Sequence, residues 1–180
     1  SGLLCGDTLY ETILLKKGRL VFLDANLARL TRGCTVARLR FDAQGHALRT
    51  LRDGISSRLT EAQLREGSLR ITLIRGEGEQ DHVHLALRPP PLRILPEYHT
   101  KGCSVIVSTI QRVCIGPWRP AIKSGSRQDG ALAMGEARAA GAFEALQMDT
   151  HGHIVEGVSS NIFAVMDGCL VTPPLAAGIL

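Results

Sequence analysis

Three consecutive prolines, Pro89 to Pro91, constrain this chain more than any other feature of its sequence. Each removes a backbone donor and fixes φ at about −65°, so the run can be neither helix interior nor central strand. It reads as a linker that divides 180 residues into two small domains. The first covers residues 1–91, residues 92–101 form the linker region, and the second domain covers 102–180. An apolar content of 44% is enough for a core and argues against disorder.

Ahead of the prolines, Thr8–Leu15 alternates as a strand does, and Lys17-Gly18 turns it into Arg19–Phe22, which predicts a β-hairpin. Asp24 is the expected N-cap of a helix whose apolar stripe runs through Leu27, Leu30, Cys34 and Leu39. A second helix is predicted over Gln44–Leu59, with Leu48, Leu51, Ile55 and Leu59 inward. Thr60-Glu61-Ala62-Gln63 then reads as a capping box opening a short third helix. Leu69–Arg75 and Val83–Leu87 read as strands paired across Gly76-Glu77-Gly78. That Gly-x-Gly does not open a helix, so it is no dinucleotide fingerprint.

Beyond the prolines, the pattern predicts a strand at Cys103–Thr109, a loop at Pro117-Trp118-Arg119-Pro120, and a helix ending near Ala140. A hairpin should follow, Phe143–Asp149 against His153–Glu156. Two short strands, Ile162–Met166 and Cys169–Val171, should then pair across Asp167-Gly168.

The formal net charge is +4, but aromatic residues make up only 4% and the arginines are spread through amphipathic sequence. The basic balance therefore reads as a solvated helix face and not as a nucleic-acid footprint. Five scattered cysteines without a C-x-x-C pair read as reduced thiols of a cytoplasmic protein. His82 with His84, and His151 with His153, have no carboxylate or thiol to complete a metal set. No apolar run approaches the roughly 20 residues of a membrane span, and no signal peptide is expected at the start.

Two residues carry the chemistry. Lys123 precedes a run of small, helix-forming residues, which places it where a loop or strand meets a helix. A lysine has a reference pKa of about 10.4, so a reactive one needs desolvation or a neighbouring cation, and Arg127 is such a cation in sequence. Glu156, 33 residues further on, closes an apolar strand and is followed by Gly157 and Ser159-Ser160-Asn161, which puts a carboxylate on an edge facing a cavity.

The order Lys123-x-x-x-Arg127, Glu144-Ala-Leu146, Gly152-x-Ile-x-Glu156-Gly157, Ser159-Ser160-Asn161-Ile162-Phe163, Asp167-Gly168 and Leu170-Val-Thr-Pro-Pro-Leu175 closely resembles the class IV (fold type IV) aminotransferases. Gly6-Asp7-x-x-Tyr10-Glu11 resembles the signature that opens the small domain of that family. The family includes branched-chain and D-amino acid aminotransferases and 4-amino-4-deoxychorismate lyases. The resemblance implies an α+β (α/β) two-domain fold, a small α+β domain followed by part of a larger, β-rich pseudo-barrel domain. It implies pyridoxal 5′-phosphate as cofactor, Lys123 as its Schiff-base partner and catalytic residue, and Glu156 facing the pyridine nitrogen. Arg29 matches the phosphate-binding arginine, a job its donor fork suits. Ser159, Ser160 and Asn161 fall on the segment lining the cofactor pocket. A homodimer acting on small molecules, an amino acid and a 2-oxo acid or aminodeoxychorismate, is implied, with neither nucleic acid nor membrane as partner.

Two departures stand out. The sequence stops at Gly178-Ile179-Leu180, where the family continues into the rest of its phosphate cradle, so a truncated chain is expected. Ser126 stands where many relatives carry asparagine. Tyr10-Glu11-Thr12-Ile13-Leu14 and Gln128 lack the branched-chain pattern, while Arg127 with Ala131-Leu132-Ala133 looks more like the D-amino acid transaminase and lyase branches. Amino transfer is the preferred expectation. The alternatives are aminodeoxychorismate lyase, releasing pyruvate and an aromatic amine, and a truncated non-catalytic remnant.

Overall fold

The structure is a computed structural model that describes residues 2–41, 45–78, 81–90, 96–112 and 122–179. The chain divides into two units, Ser1–Arg93 with Ala121–Ser126, and Ile94–Pro120 with Arg127–Leu180.

The first unit holds β1 (Thr8–Lys16), β2 (Arg19–Leu20), α1 (Leu23–Ala37), α2 (His46–Ala62), β3 (Gly67–Ile74) and β4 (His82–Arg88). Its sheet has the order β2-β1-β3-β4, antiparallel throughout. Alternation along β1 sends Leu9, Glu11, Ile13 and Leu15 to one face. Leu9 and Ile13 there join Leu69, Ile71 and Leu73 of β3, Leu27, Leu30 and Cys34 of α1, and Leu51 and Ile55 of α2 in one core. Both predicted hairpin pairings form.

Three helix-end expectations are corrected. Asp24 is not the N-cap of α1: Phe22 occupies that position in a left-handed conformation (φ 57°), and Asp24 lies in the first turn. The carboxylate of Asp24 accepts from Arg52 on α2 at 2.5 Å, an exposed ion pair that replaces the capping role. There is no break at Thr60 either. The Thr60 hydroxyl donates to the Ser56 carbonyl one turn back (3.0 Å), so α2 runs through it to Ala62. Gln63, the expected end of the capping box, is instead the left-handed C-cap (φ 50°). The predicted start of this helix at Gln44 lies outside the described residues.

The second unit contains α3 (Tyr98–Lys101), β5 (Val105–Val107), α4 (Gln128–Ala139), β6 (Glu144–Met148), β7 (Ile154–Gly157), β8 (Ala164–Met166) and β9 (Cys169–Val171). Strand β5 pairs parallel to β6, and β6 pairs antiparallel to β7, the predicted hairpin. Helix α4 covers this sheet through Ala133, Met134 and Ala137 against Ala145, with Ile106 and Val158 beside them. Strands β8 and β9 form a ribbon of their own, turned by Asp167 (φ 50°) and Gly168 (φ 77°). Positive φ at both central residues is the turn that matches strand twist. The strands predicted at Cys103–Thr109 and Ile162–Met166 are shorter than expected. The loop around Pro117–Pro120 and part of the proline linker lie outside the described residues.

Candidate active site

Lys123 is seated by backbone pairing with β1. The Tyr10 N–H donates to the Lys123 carbonyl (2.9 Å), the Gly125 N–H donates to the Thr8 carbonyl (2.8 Å), and Leu9 and Ser124 form an antiparallel bridge between them. This is possible because β2 covers only the far end of β1, at Leu15 and Lys16, and leaves the edge at Thr8–Tyr10 open for a second partner. The preceding residue, Ile122, packs on the core of the first unit. Lys123 is half-buried, and its Nζ stands 5.4 Å from the centroid of the Tyr10 ring. The Arg70 guanidinium stacks on the same ring at 3.7 Å, so one aromatic quadrupole faces two cations.

Tyr10 and Glu11 are consecutive on β1 and therefore point to opposite faces of the sheet. On the core side, Glu11 is fully buried and takes Arg29 of α1 in a bidentate pair, Nε to Oε1 and Nη2 to Oε2, both 2.6 Å. These hydrogen bonds, more than the charge of Glu11, raise the Arg29 pKa further above its ordinary value, against the opposing effect of burial. The fork expected for phosphate is thus turned to Glu11 along its Nε–Nη2 edge. Nη1 is not part of that pair.

In the second unit, Glu156 lies on β7 opposite Gln147 of β6, and both are buried. Arg112 faces Glu156 with Nε 2.8 Å from Oε1, an ion pair without hydrogen-bond alignment. The Arg112 Nη1 also donates to Asp129 in the first turn of α4 (3.2 Å), and the Arg112 backbone N–H donates to the Met148 carbonyl (2.8 Å). One guanidinium, pinned to the end of β6, thereby serves two carboxylates. Arg127, the N-cap residue of α4, donates to the Val158 carbonyl (2.8 Å).

The hydroxyls of Ser159 and Ser160 both reach the buried Glu144 carboxylate, at 2.8 and 3.3 Å, and the Gly157 N–H donates to the Ser160 carbonyl at 2.8 Å. A Cβ at Gly157 would lie 2.3 Å from the Ser160 Oγ and 3.2 Å from the Glu144 Cγ, so a side chain there would press on the Ser160–Glu144 contact. Asn161 is exposed. Among the described residues no group of three His, Cys, Asp or Glu side chains could hold a metal ion, and no helix is long and apolar enough to cross a membrane.

Four residues that support this arrangement had no role in the sequence reading: Tyr10, Glu11, Arg112 and Glu144. Tyr10 and Glu11 stood in the Gly-Asp-x-x-Tyr-Glu signature, which could have flagged them. Glu144 stood in the Glu-Ala-Leu motif, but its partners, like those of Arg112, lie too far along the chain for any local pattern to show.

A small α+β unit that seats a lysine on its sheet edge, joined to a second unit that carries a buried carboxylate on a hairpin, has the architecture of the fold type IV enzymes. Residues 8–180 match the sequence profile of the amino-transferase class IV family, and the chain belongs to that family. It is 28% identical over 185 residues to the bifunctional aminodeoxychorismate lyase / D-amino acid transaminase of Mycobacterium tuberculosis, covering 94% of this chain and 63% of that protein. The crystal structure of 4-amino-4-deoxychorismate lyase from Pseudomonas aeruginosa superposes with a TM-score of 0.79 at 30% identity, over 97% of this chain and 64% of that one. The branched-chain aminotransferase of Thermoproteus uzoniensis gives a TM-score of 0.84 at 25% identity, over 99% of this chain and 63% of that one. The chain therefore spans less than two thirds of the length of these relatives.

Proposed function

We propose that the protein to which this chain belongs is a pyridoxal 5′-phosphate-dependent aminotransferase that moves an amino group between an amino acid and a 2-oxo acid, with Lys123 as its catalytic residue. The observation that carries this reading is the seat of Lys123, a half-buried residue whose segment is held on β1 by two backbone hydrogen bonds and whose amine stands near an aromatic ring. The residues fit the cofactor by donor type. An amine suits its aldehyde, the arginine-backed carboxylate of Glu156 suits its pyridine nitrogen, and Arg29 suits its phosphate.

When bound, the cofactor supplies an electron sink for charge developing at the substrate carbon. Lys123 would hold it through its amine and, once freed, would move a proton from the substrate carbon. Glu156 would keep the pyridine nitrogen protonated, and Arg112 pairs with Glu156. Arg29 would hold the phosphate, with the Nε–Nη2 edge of its guanidinium already taken by Glu11. Ser159 and Ser160 shape the turn after Glu156 by bonding Glu144, and Asn161 lies next to them in that turn. We further propose a cytoplasmic homodimer acting on small molecules.

A second reading, aminodeoxychorismate lyase, is favoured by the 30% identity to the Pseudomonas aeruginosa enzyme. It would use the same lysine, carboxylate and arginine, and would differ in expelling a leaving group from the substrate.

Borohydride reduction of the full-length protein loaded with pyridoxal phosphate, followed by peptide mapping, tests the assignment. A pyridoxyl group is expected on Lys123, and finding it on Lys16, Lys17 or Lys101 overturns the reading. Assays with an amino acid plus 2-oxoglutarate and with aminodeoxychorismate separate the two reactions. Release of p-aminobenzoate without amino transfer selects the lyase.

A further inference from the structure

We propose that Thr8 and Gly125 form a steric latch that sets how closely the Lys123 segment approaches β1, making Gly125 a positioning residue for the Lys123 amine. The proposal rests on the reading of Lys123 as the reactive amine. A Cβ built on Gly125 would fall 2.0 Å from the Thr8 Oγ1, well inside van der Waals contact, yet 3.4 Å from the Thr8 Cβ and 3.8 Å from its carbonyl oxygen, both ordinary distances. The obstacle is therefore one side-chain atom and not the strand. Thr8 is buried, and a β-branched side chain has few rotamers, so the hydroxyl does not swing away freely.

The contact matters because Gly125 N–H to Thr8 C=O and Tyr10 N–H to Lys123 C=O are the two bonds of one antiparallel bridge. With the Thr8 hydroxyl in place, a side chain at 125 lengthens the first bond, and the displacement passes through Ser124 to Lys123, two residues away. The Nζ then leaves its place beside the Tyr10 ring. A misplacement of about 1 Å in a reacting group is enough to cost roughly a hundredfold in rate.

The geometry makes the test a compensating pair. In the full-length protein loaded with pyridoxal phosphate, Gly125→Ala is expected to lower kcat by roughly a hundredfold, with a much smaller change in KM. The pH midpoint of the bound cofactor's absorbance should shift with it, a signature that lost stability alone does not produce. Thr8→Ala removes the 2.0 Å clash and leaves the 3.4 Å contact, so the double variant Thr8→Ala/Gly125→Ala should recover most of both kcat and the absorbance midpoint. If Gly125→Ala behaves as the parent, or if the double variant remains as impaired as the single one, the latch is overturned. Should Gly125→Ala fail to fold, the double variant still decides: recovery of folding with parental kcat supports the latch, and a folded but impaired double variant sinks it. Borohydride mapping of the parent stands apart from these outcomes, because label on another lysine removes the underlying reading whatever the variants do.

Discussion

Arg112 and Glu156 face each other as a buried ion pair, Nε to Oε1 at 2.8 Å, with the two side chains only 13% and 5% exposed. The same guanidinium reaches Asp129 at 3.2 Å. Two buried carboxylates thus share one guanidinium.

Replacing Arg112 by methionine should therefore destabilise the protein by about 3–5 kcal/mol, the typical cost of removing one partner of a buried pair. Denaturant unfolding of the second unit's transition measures it. A loss below about 1 kcal/mol would show that the pair contributes no more than a surface contact.

Glu156→Gln should leave cofactor affinity largely intact while lowering turnover by roughly a hundredfold, or about 2.7 kcal/mol of transition-state stabilisation. The amide is close in shape but cannot keep the pyridine nitrogen protonated. Parental turnover in this variant would reduce Glu156 to a structural partner of Arg112.

Acid sensitivity should trace in part to Glu136. Hydrogen bonds from the Ser108 hydroxyl (2.6 Å), the Thr109 hydroxyl and the Thr109 N–H (2.9 Å) hold its carboxyl below the ordinary glutamate range. Because the folded pKa lies below the unfolded one, the stabilisation is complete above the unfolded value of about 4.3 and is lost as pH falls through the folded value. Glu136→Gln should lower the melting temperature at neutral pH, with the gap to the parent closing below about pH 4.3. A gap that stays constant down to pH 2 would contradict the assignment.

Cys34 should resist alkylation in the folded protein. Burial in the core, with a smaller contribution from the charge of Asp81, pushes its thiol up to about 12, and the thiolate is the reactive form. Iodoacetamide at pH 8 should label the exposed Cys5, Cys103 and Cys169 and reach Cys34 only after unfolding. Early labelling of Cys34 would mean that α1 detaches readily from its sheet.

The hairpins were legible because alternation at β1, β3, β6 and β7 is written in adjacent residues, and the turn at Asp167-Gly168 carries its own chemistry. The place of Glu156 on a hairpin strand was legible from the same alternation. Helix ends were read less well. Asp24 has the right side chain for a cap, but its charge is drawn to Arg52, and Thr60 is absorbed into α2 by bonding Ser56. What no local pattern could show were the through-space partners. Glu11 finds Arg29 18 residues away, and Glu144 finds Ser159 15 residues away. Arg112 finds Glu156 only because β6 carries the Arg112 backbone on Met148 and aligns Gln147 against Glu156.

The chain enters the second unit after Arg93, returns to the first for Ala121–Ser126, and leaves again at Arg127. Lys123 thus belongs to one folding unit by its hydrogen bonds and to the other by its place in the gene. The two units are consequently not interchangeable cassettes. A recombinant joined at the prolines would inherit its lysine from one parent and the strand that seats it from the other. Thr8, Tyr10 and the 123–125 segment would have to be exchanged together for such a chimaera to keep the amine in place.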